Sequence, residues 1–209
     1  MMTIEKILSI PKSELQEASK TLNKDDIPQL VEWLSLKDDS TRYQAFLLLQ
    51  NRSIFFSDVY PFWDNLRDKL ESDNSYQRSI GLMLIAENVR WDTQNRIEDT
   101  LDEYLALLQD EKPITIRQCI QSLGKVALFK PGLNKKIADC LIAFDLLSIK
   151  ETMRKSILLD ILNVLIAIRK ELKTSETERF ILSALSGEIL DKKSKKQIEL
   201  DLQPIPEKN

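Results

Sequence analysis

The sequence predicts an all-α fold, an α-solenoid of about four helical hairpins with a capping helix at each end. Three observations predict it. Apolar residues recur at helical spacing from about residue 12 to residue 190, with no convincing alternating strand. Only four of the 209 residues are glycine and seven are proline. That is too few for the turns of a β-sandwich or for the glycine-rich phosphate loops of a nucleotide-binding α/β fold. Finally, an arginine followed by an apolar helix returns four times, at Arg42, Arg78, Arg117 and Arg154, at intervals of 36, 39 and 37 residues.

Taken in order, the first element is a capping helix near 12–22. The first hairpin, 25–56, pairs a helix over 26–36 with one over 40–51, joined by Lys37-Asp38-Asp39-Ser40. The second, 57–91, pairs 58–71 with 75–88 across Glu71-Ser72-Asp73-Asn74. The third, 92–130, pairs 93–108 with 114–128 across Asp110-Glu111-Lys112-Pro113, and Asp92 and Thr93 can cap its first helix. Pro131-Gly132 then breaks the chain before the fourth hairpin, 131–170, built from helices over 133–146 and 150–170. A C-terminal cap over 175–190 carries Phe180, Ile181, Leu185 and Ile189. The joining stretches are rich in Asp, Asn, Ser and Pro, residues that cap or start helices. One repeat domain over 1–190 is expected, followed by a charged, flexible tail over 191–209 that opens with Lys192-Lys193-Ser194-Lys195-Lys196.

The hairpins are expected to stack because none can bury its own apolar surface. In the second hairpin Ile80, Leu82, Met83, Leu84, Ile85 and Ala86 surround most of the second, or B, helix, so neighbouring hairpins must cover it. Ala45 and Gly81, three residues after their arginines, suit close helix approach. This pattern resembles HEAT repeats: Asp39-Ser40-Thr41-Arg42 with Ala45, and Asp73 through Arg78 to Gly81, match the aspartate, arginine and small residue of that family. The resemblance covers roughly residues 25–170. It implies that the repeat arginines Arg42, Arg78, Arg117 and Arg154 are structural, bonding turn carbonyls and aspartates of adjoining units. Ile120 and Ile157 stand where the family has a small residue, and the fourth unit lacks the turn aspartate.

Composition narrows the chemistry. Hydrophobic residues make up 43% and charged residues 30%, a globular balance. There is no histidine, which removes Ser/His and Cys/His catalysis and most zinc or iron sites. Cys119 and Cys140 are too few for a disulfide framework and sit in apolar helical contexts, so both are expected as buried thiols. No apolar run is long enough for a membrane span, and the N-terminus lacks a basic-then-apolar leader, so a cytoplasmic protein is the expectation. No cofactor and no metal are expected. The net charge of -3 divides unevenly: residues 1–112 carry 13 Lys and Arg against 21 Asp and Glu, a net of -8, and residues 113–209 carry 17 against 12, a net of +5. Such a division can orient a partner.

The function these features favour is a non-enzymatic scaffold that binds a protein partner on a concave surface lined by the B helices. Its expected lining is Gln44, Gln77, Gln118, Gln121, Lys125, Lys155 and Asn163, with Tyr43 and Tyr76 beside them. Flexible amides and aromatic anchors of this kind suit an extended peptide. Two other readings stand beside it. One is a structural subunit of a larger assembly. The other follows from a resemblance to AlkD-like helical-repeat DNA glycosylases, which implies Trp91, Asp92 and Arg117 as the site; there Trp91-Asp92 follows Arg78, whereas that family places its pair before the arginine-bearing repeat. A nucleic-acid partner is not favoured, because the first half is acidic. The acidic run Glu98, Asp99, Asp102, Glu103 is expected as a solvated face, and Phe55, Phe56, Tyr60, Phe62 and Trp63 as core packing at the first junction.

Overall fold

In the computed structural model, which describes residues 2–203, the helical periodicity resolves into twelve α-helices. These are α1 (Ile4–Leu8), α2 (Leu15–Lys20), α3 (Ile27–Trp33), α4 (Asp39–Phe55), α5 (Trp63–Arg67), α6 (Ser75–Asn88), α7 (Arg96–Ala106), α8 (Pro113–Phe129), α9 (Asn134–Ile142), α10 (Glu151–Arg169), α11 (Ser175–Ser186) and α12 (Lys192–Asp201). No strand occurs among the described residues. The predicted helix over 58–71 is α5 with a 3₁₀ turn at each end, Tyr60–Phe62 and Asp68–Glu71.

Helix starts follow local chemistry. Asp38 accepts from the Thr41 N–H at 2.7 Å to open α4, and Asn74 accepts from the Tyr76 N–H at 2.9 Å to open α6. Thr174 does the same for α11 through Thr177 at 3.2 Å. Each satisfies an N–H that has no partner within its helix. Pro113 opens α8, where a missing N–H costs nothing.

The chain divides into two compact units, Met1–Leu107 and Leu108–Asn209. The division falls inside the third predicted hairpin, between α7 and α8.

In the first unit α4 is the hub, packed by α1, α2, α3 and α6, and α6 packs on α5. Trp63, Leu66, Leu48, Leu49, Leu82 and Ile85 are fully buried. Gly81 lets α6 lie against α5: a Cβ there would stand 2.7 Å from the Leu66 carbonyl oxygen and 3.1 Å from Leu70 Cδ2. In the second unit α10 is the hub, packed by α8, α9, α11 and α12. Cys119 is fully buried on α8, which pushes its thiol pKa up, whereas Cys140 is half-buried.

The tail expected over 191–209 is helical in its first half. Asp191 accepts from the Ser194 N–H at 2.8 Å and starts α12, and Ile198 is buried in a cluster with Leu158, Leu162, Ile166, Ile181 and Leu190. The lysine run hid this helix because Ile198 is its one buried residue. Residues 204–209 of the expected tail lie outside the described residues.

Candidate partner-binding surface

The four repeat arginines begin the B helices α4, α6, α8 and α10. Arg42 donates to the Leu36 carbonyl at 2.9 Å and pairs with Asp39; Arg78 donates to the Ser72 carbonyl at 2.7 Å. Arg154 donates to the carbonyls of Ile149 and Leu147, each at 2.9 Å. In all three the guanidinium closes the turn preceding its own helix. Arg117 differs: it forks onto the Asp160 carboxylate of α10, Nε to Oδ2 at 2.6 Å and Nη2 to Oδ1 at 3.2 Å.

The residues expected to line a partner surface divide by unit. In the first unit, Gln44 is buried and its Nε2 donates to the carbonyls of Ile7 and Ile10 at 3.0 and 2.9 Å. Gln44 therefore anchors the α1 end to α4 and offers nothing to a partner, a correction to the expected lining. Sequence position alone could not separate it from an exposed glutamine, because its acceptors lie 34 and 37 residues away. Gln77 is also engaged: Nε2 donates to the Leu34 carbonyl at 2.7 Å while Oε1 accepts from Lys69 Nζ at 2.7 Å. Tyr43 and Tyr76 are exposed; Lys12 Nζ lies 5.5 Å above the Tyr43 ring, and the Arg42 guanidinium 5.7 Å from the Tyr76 ring centroid.

In the second unit the expected residues gather between α8 and α10. A groove of 200 Å³ is lined by Gln121 and Gly124 of α8 and by Asp160, Asn163, Val164 and Ala167 of α10. Gln121 Nε2 donates to Asp160 Oδ1 at 2.9 Å, so Asp160 is held by both Arg117 and Gln121. Asn163 is exposed at the groove's edge with its amide uncommitted. Gly124 keeps the floor open, because a Cβ there would reach Val164 Cγ2 at 3.4 Å. Gln118 is half-buried and its Oε1 lacks a hydrogen-bond partner, and Lys125 is half-buried. Lys155 is half-buried and pairs with Asp191 at the α12 start. That contact, with the Ser194 hydrogen bonds, holds the Asp191 carboxyl well below the usual aspartate value.

The residues of the glycosylase reading are committed to structure. Asp92 is buried and accepts from Tyr60 Oη at 2.9 Å, from the Arg96 N–H at 2.9 Å and from the Ile97 N–H at 3.1 Å. It caps α7 from a distance, across Asn95, whose φ of 56° is left-handed. Trp91 Nε1 donates to the Ser53 carbonyl at 2.7 Å. Burial, then the bond to Asp92, pushes the Tyr60 pKa up to about 12. Of the aromatic cluster, Trp63 is fully buried and donates to Thr100 Oγ1 at 3.0 Å, whereas Phe55 and Phe56 are exposed beneath Lys20 and Arg52. In the acidic run, Glu103 pairs with Arg67.

Sequence reasoning missed Asp160 as the centre of the α8–α10 groove. Its position in an otherwise apolar helix, Leu158-Leu159-Asp160-Ile161-Leu162, was the available signal.

No family model matches this chain, and no curated protein matches it. Its likeness is to solved structures. A crystal structure of an engineered protein aligns over 97% of this chain and 98% of its own, at a TM-score of 0.58 and 17% identity. A designed armadillo repeat protein in complex with the peptide (KR)4 aligns over 95% and 96%, at 0.58 and 14%. A Kap121p mutant aligns over 94% of this chain but 20% of its own, at 0.50 and 17%. The fold is thus that of a helical-repeat protein of the α-solenoid class. Among the described residues, no helix is long and apolar enough to cross a membrane.

Proposed function

We propose that the chain is a non-enzymatic protein-interaction scaffold whose second unit holds an extended segment of a protein partner between α8 and α10. The observation that carries this reading is the groove at Gln121, Gly124, Asp160 and Asn163. An exposed amide on each wall can pair with the N–H and C=O of an extended backbone, and Asp160, neutralised by Arg117, holds the Gln121 side chain in place. The first unit complements it: 12 Lys and Arg stand against 19 Asp and Glu in residues 1–107, a net of -7. The groove itself lies in the unit of net +4, so this division orients a partner, its basic part favoured by the first unit and its neutral or acidic part by the second. That a structurally similar designed protein was solved with the peptide (KR)4 supports the use of this fold to hold a peptide. Three of the HEAT-like arginines, Arg42, Arg78 and Arg154, act in this reading as turn braces, and Arg117 ties α8 to α10 through Asp160. The three donors on Asp92 favour the scaffold reading over the glycosylase alternative.

The test is selection of unstructured peptides from a display library against the full chain. Enriched peptides should lose about tenfold in affinity against a Gln121→Ala, Asn163→Ala double variant, as expected for two lost hydrogen bonds. Failure to enrich any peptide, or equal binding to the double variant, contradicts the proposal.

A further inference from the structure

The first unit contains a cleft that the partner groove leaves unexplained. It measures 690 Å³, within the usual range for small-molecule sites, and lies between the C-terminal end of α3 and the helical segments around α5 and α6. Its defining group is Lys69, which is nine-tenths buried. The Lys69 ammonium donates to Ser35 Oγ at 2.9 Å and to Gln77 Oε1 at 2.7 Å, both neutral acceptors. Because Gln77 Nε2 is fixed on the Leu34 carbonyl, its oxygen is the end turned to the lysine. Among the described residues, the third N–H of the ammonium has no acceptor and no carboxylate lies within ion-pairing distance.

A buried charge without a counter-charge is costly unless something supplies one. Burial accordingly lowers the Lys69 pKa, and the nearby Asp68 only partly opposes this. Two further cations face the same cleft. Arg42 uses Nη1 on Leu36 and Nη2 on Asp39, which leaves guanidinium donors unused, and Lys37 is exposed at the mouth. Glu32 and Asp68 supply carboxylates that can accept from hydroxyl or ammonium groups.

We propose that this cleft binds a small polar ligand through one anionic group, a carboxylate or phosphate, seated on Lys69 and Arg42, with its hydroxyl or amino substituents taken by Glu32 and Asp68. The ligand completes the Lys69 hydrogen bonds and provides the missing counter-charge. Charge-assisted bonds of this kind are the stronger class, and guanidinium and ammonium together suit an oxyanion.

The experiment is thermal unfolding of the full chain in inorganic phosphate, in glutamate and in chloride at matched ionic strength. Phosphate or glutamate should raise Tm saturably by about 2–4 °C over chloride, the better anion identifying the ligand's acidic group. Lys69→Met, which keeps the aliphatic stem, should lose that rise. Equal Tm in all three salts, or an undiminished rise in Lys69→Met, overturns the proposal. Should Lys69→Met not fold, the wild-type chain decides: the NMR pH titration of Lys69 Cε should shift to higher pH with the stabilising anion, and an unchanged midpoint overturns it.

Discussion

The two units are built from the same hairpins and stabilised by different means. In the first, polar groups are sunk into the core and satisfied there. Arg52, with 4% of its side chain exposed, forks onto Asp58 at 2.7 to 3.2 Å and donates to the carbonyls of Ser19 and Lys20 at 3.0 Å, while its guanidinium lies 3.7 Å above Phe56. Trp63, Tyr104 and Trp91 add hydrogen bonds to Thr100, Leu82 and Ser53. In the second unit the core is chiefly aliphatic, and its ion pairs, Arg117–Asp160, Arg169–Glu178 and Lys155–Asp191, sit nearer the surface. The charges differ too: the first unit's net is -7, and the second carries 18 Lys and Arg against 14 Asp and Glu, a net of +4. A unit whose polar side chains are spent on its own fold has few left for a partner. The second leaves Asn163 and the groove edge available.

The largest contrast should come from paired arginine substitutions. Arg52→Met strands Asp58 and two carbonyls in a buried site and should cost roughly 3–5 kcal/mol. Arg117→Met leaves Asp160 with Gln121 and partial solvent access and should cost about 1–3 kcal/mol. Equal losses in urea unfolding would break the comparison. Glycine provides the second contrast. Gly81→Ala drives a methyl into the Leu66 backbone and should destabilise by about 1–3 kcal/mol. Gly124→Ala meets only Val164 Cγ2 at the edge of normal contact, so helix propensity should make it neutral or stabilising by up to roughly 1 kcal/mol.

The smallest effect is a pH dependence confined to the first unit. Tyr60 has a folded pKa of about 12 against about 10 when unfolded. Its neutral form is favoured by folding, so its contribution is fully present below pH 10 and is lost as pH rises through 12. Tyr60→Phe should flatten the fall in stability over that window, measured by denaturant midpoint. An identical slope in the variant would show that Tyr60 does not titrate as placed.

Much of the fold was legible in the sequence because hairpin turns carry local signals. Asp38, Asn74 and Pro113 mark the starts of α4, α6 and α8 close to where periodicity put them, and Gly81 marks a close helix approach. What escaped depends on distant contacts. The helix α12 rests on the single buried Ile198, and Gln44 is consumed by the carbonyls of Ile7 and Ile10, more than thirty residues earlier. The candidate site was half legible: Gln121 and Asn163 follow from their helix faces, whereas Asp160 becomes its centre only through Arg117, 43 residues away.

The central claim, that a partner segment lies between α8 and α10, is tested most directly by photo-crosslinking. A photoreactive residue at position 163 should crosslink to an enriched peptide, while one at the exposed Leu182 on α11 should not. Absence of crosslinks from 163, or equal yields from 182, would contradict the account.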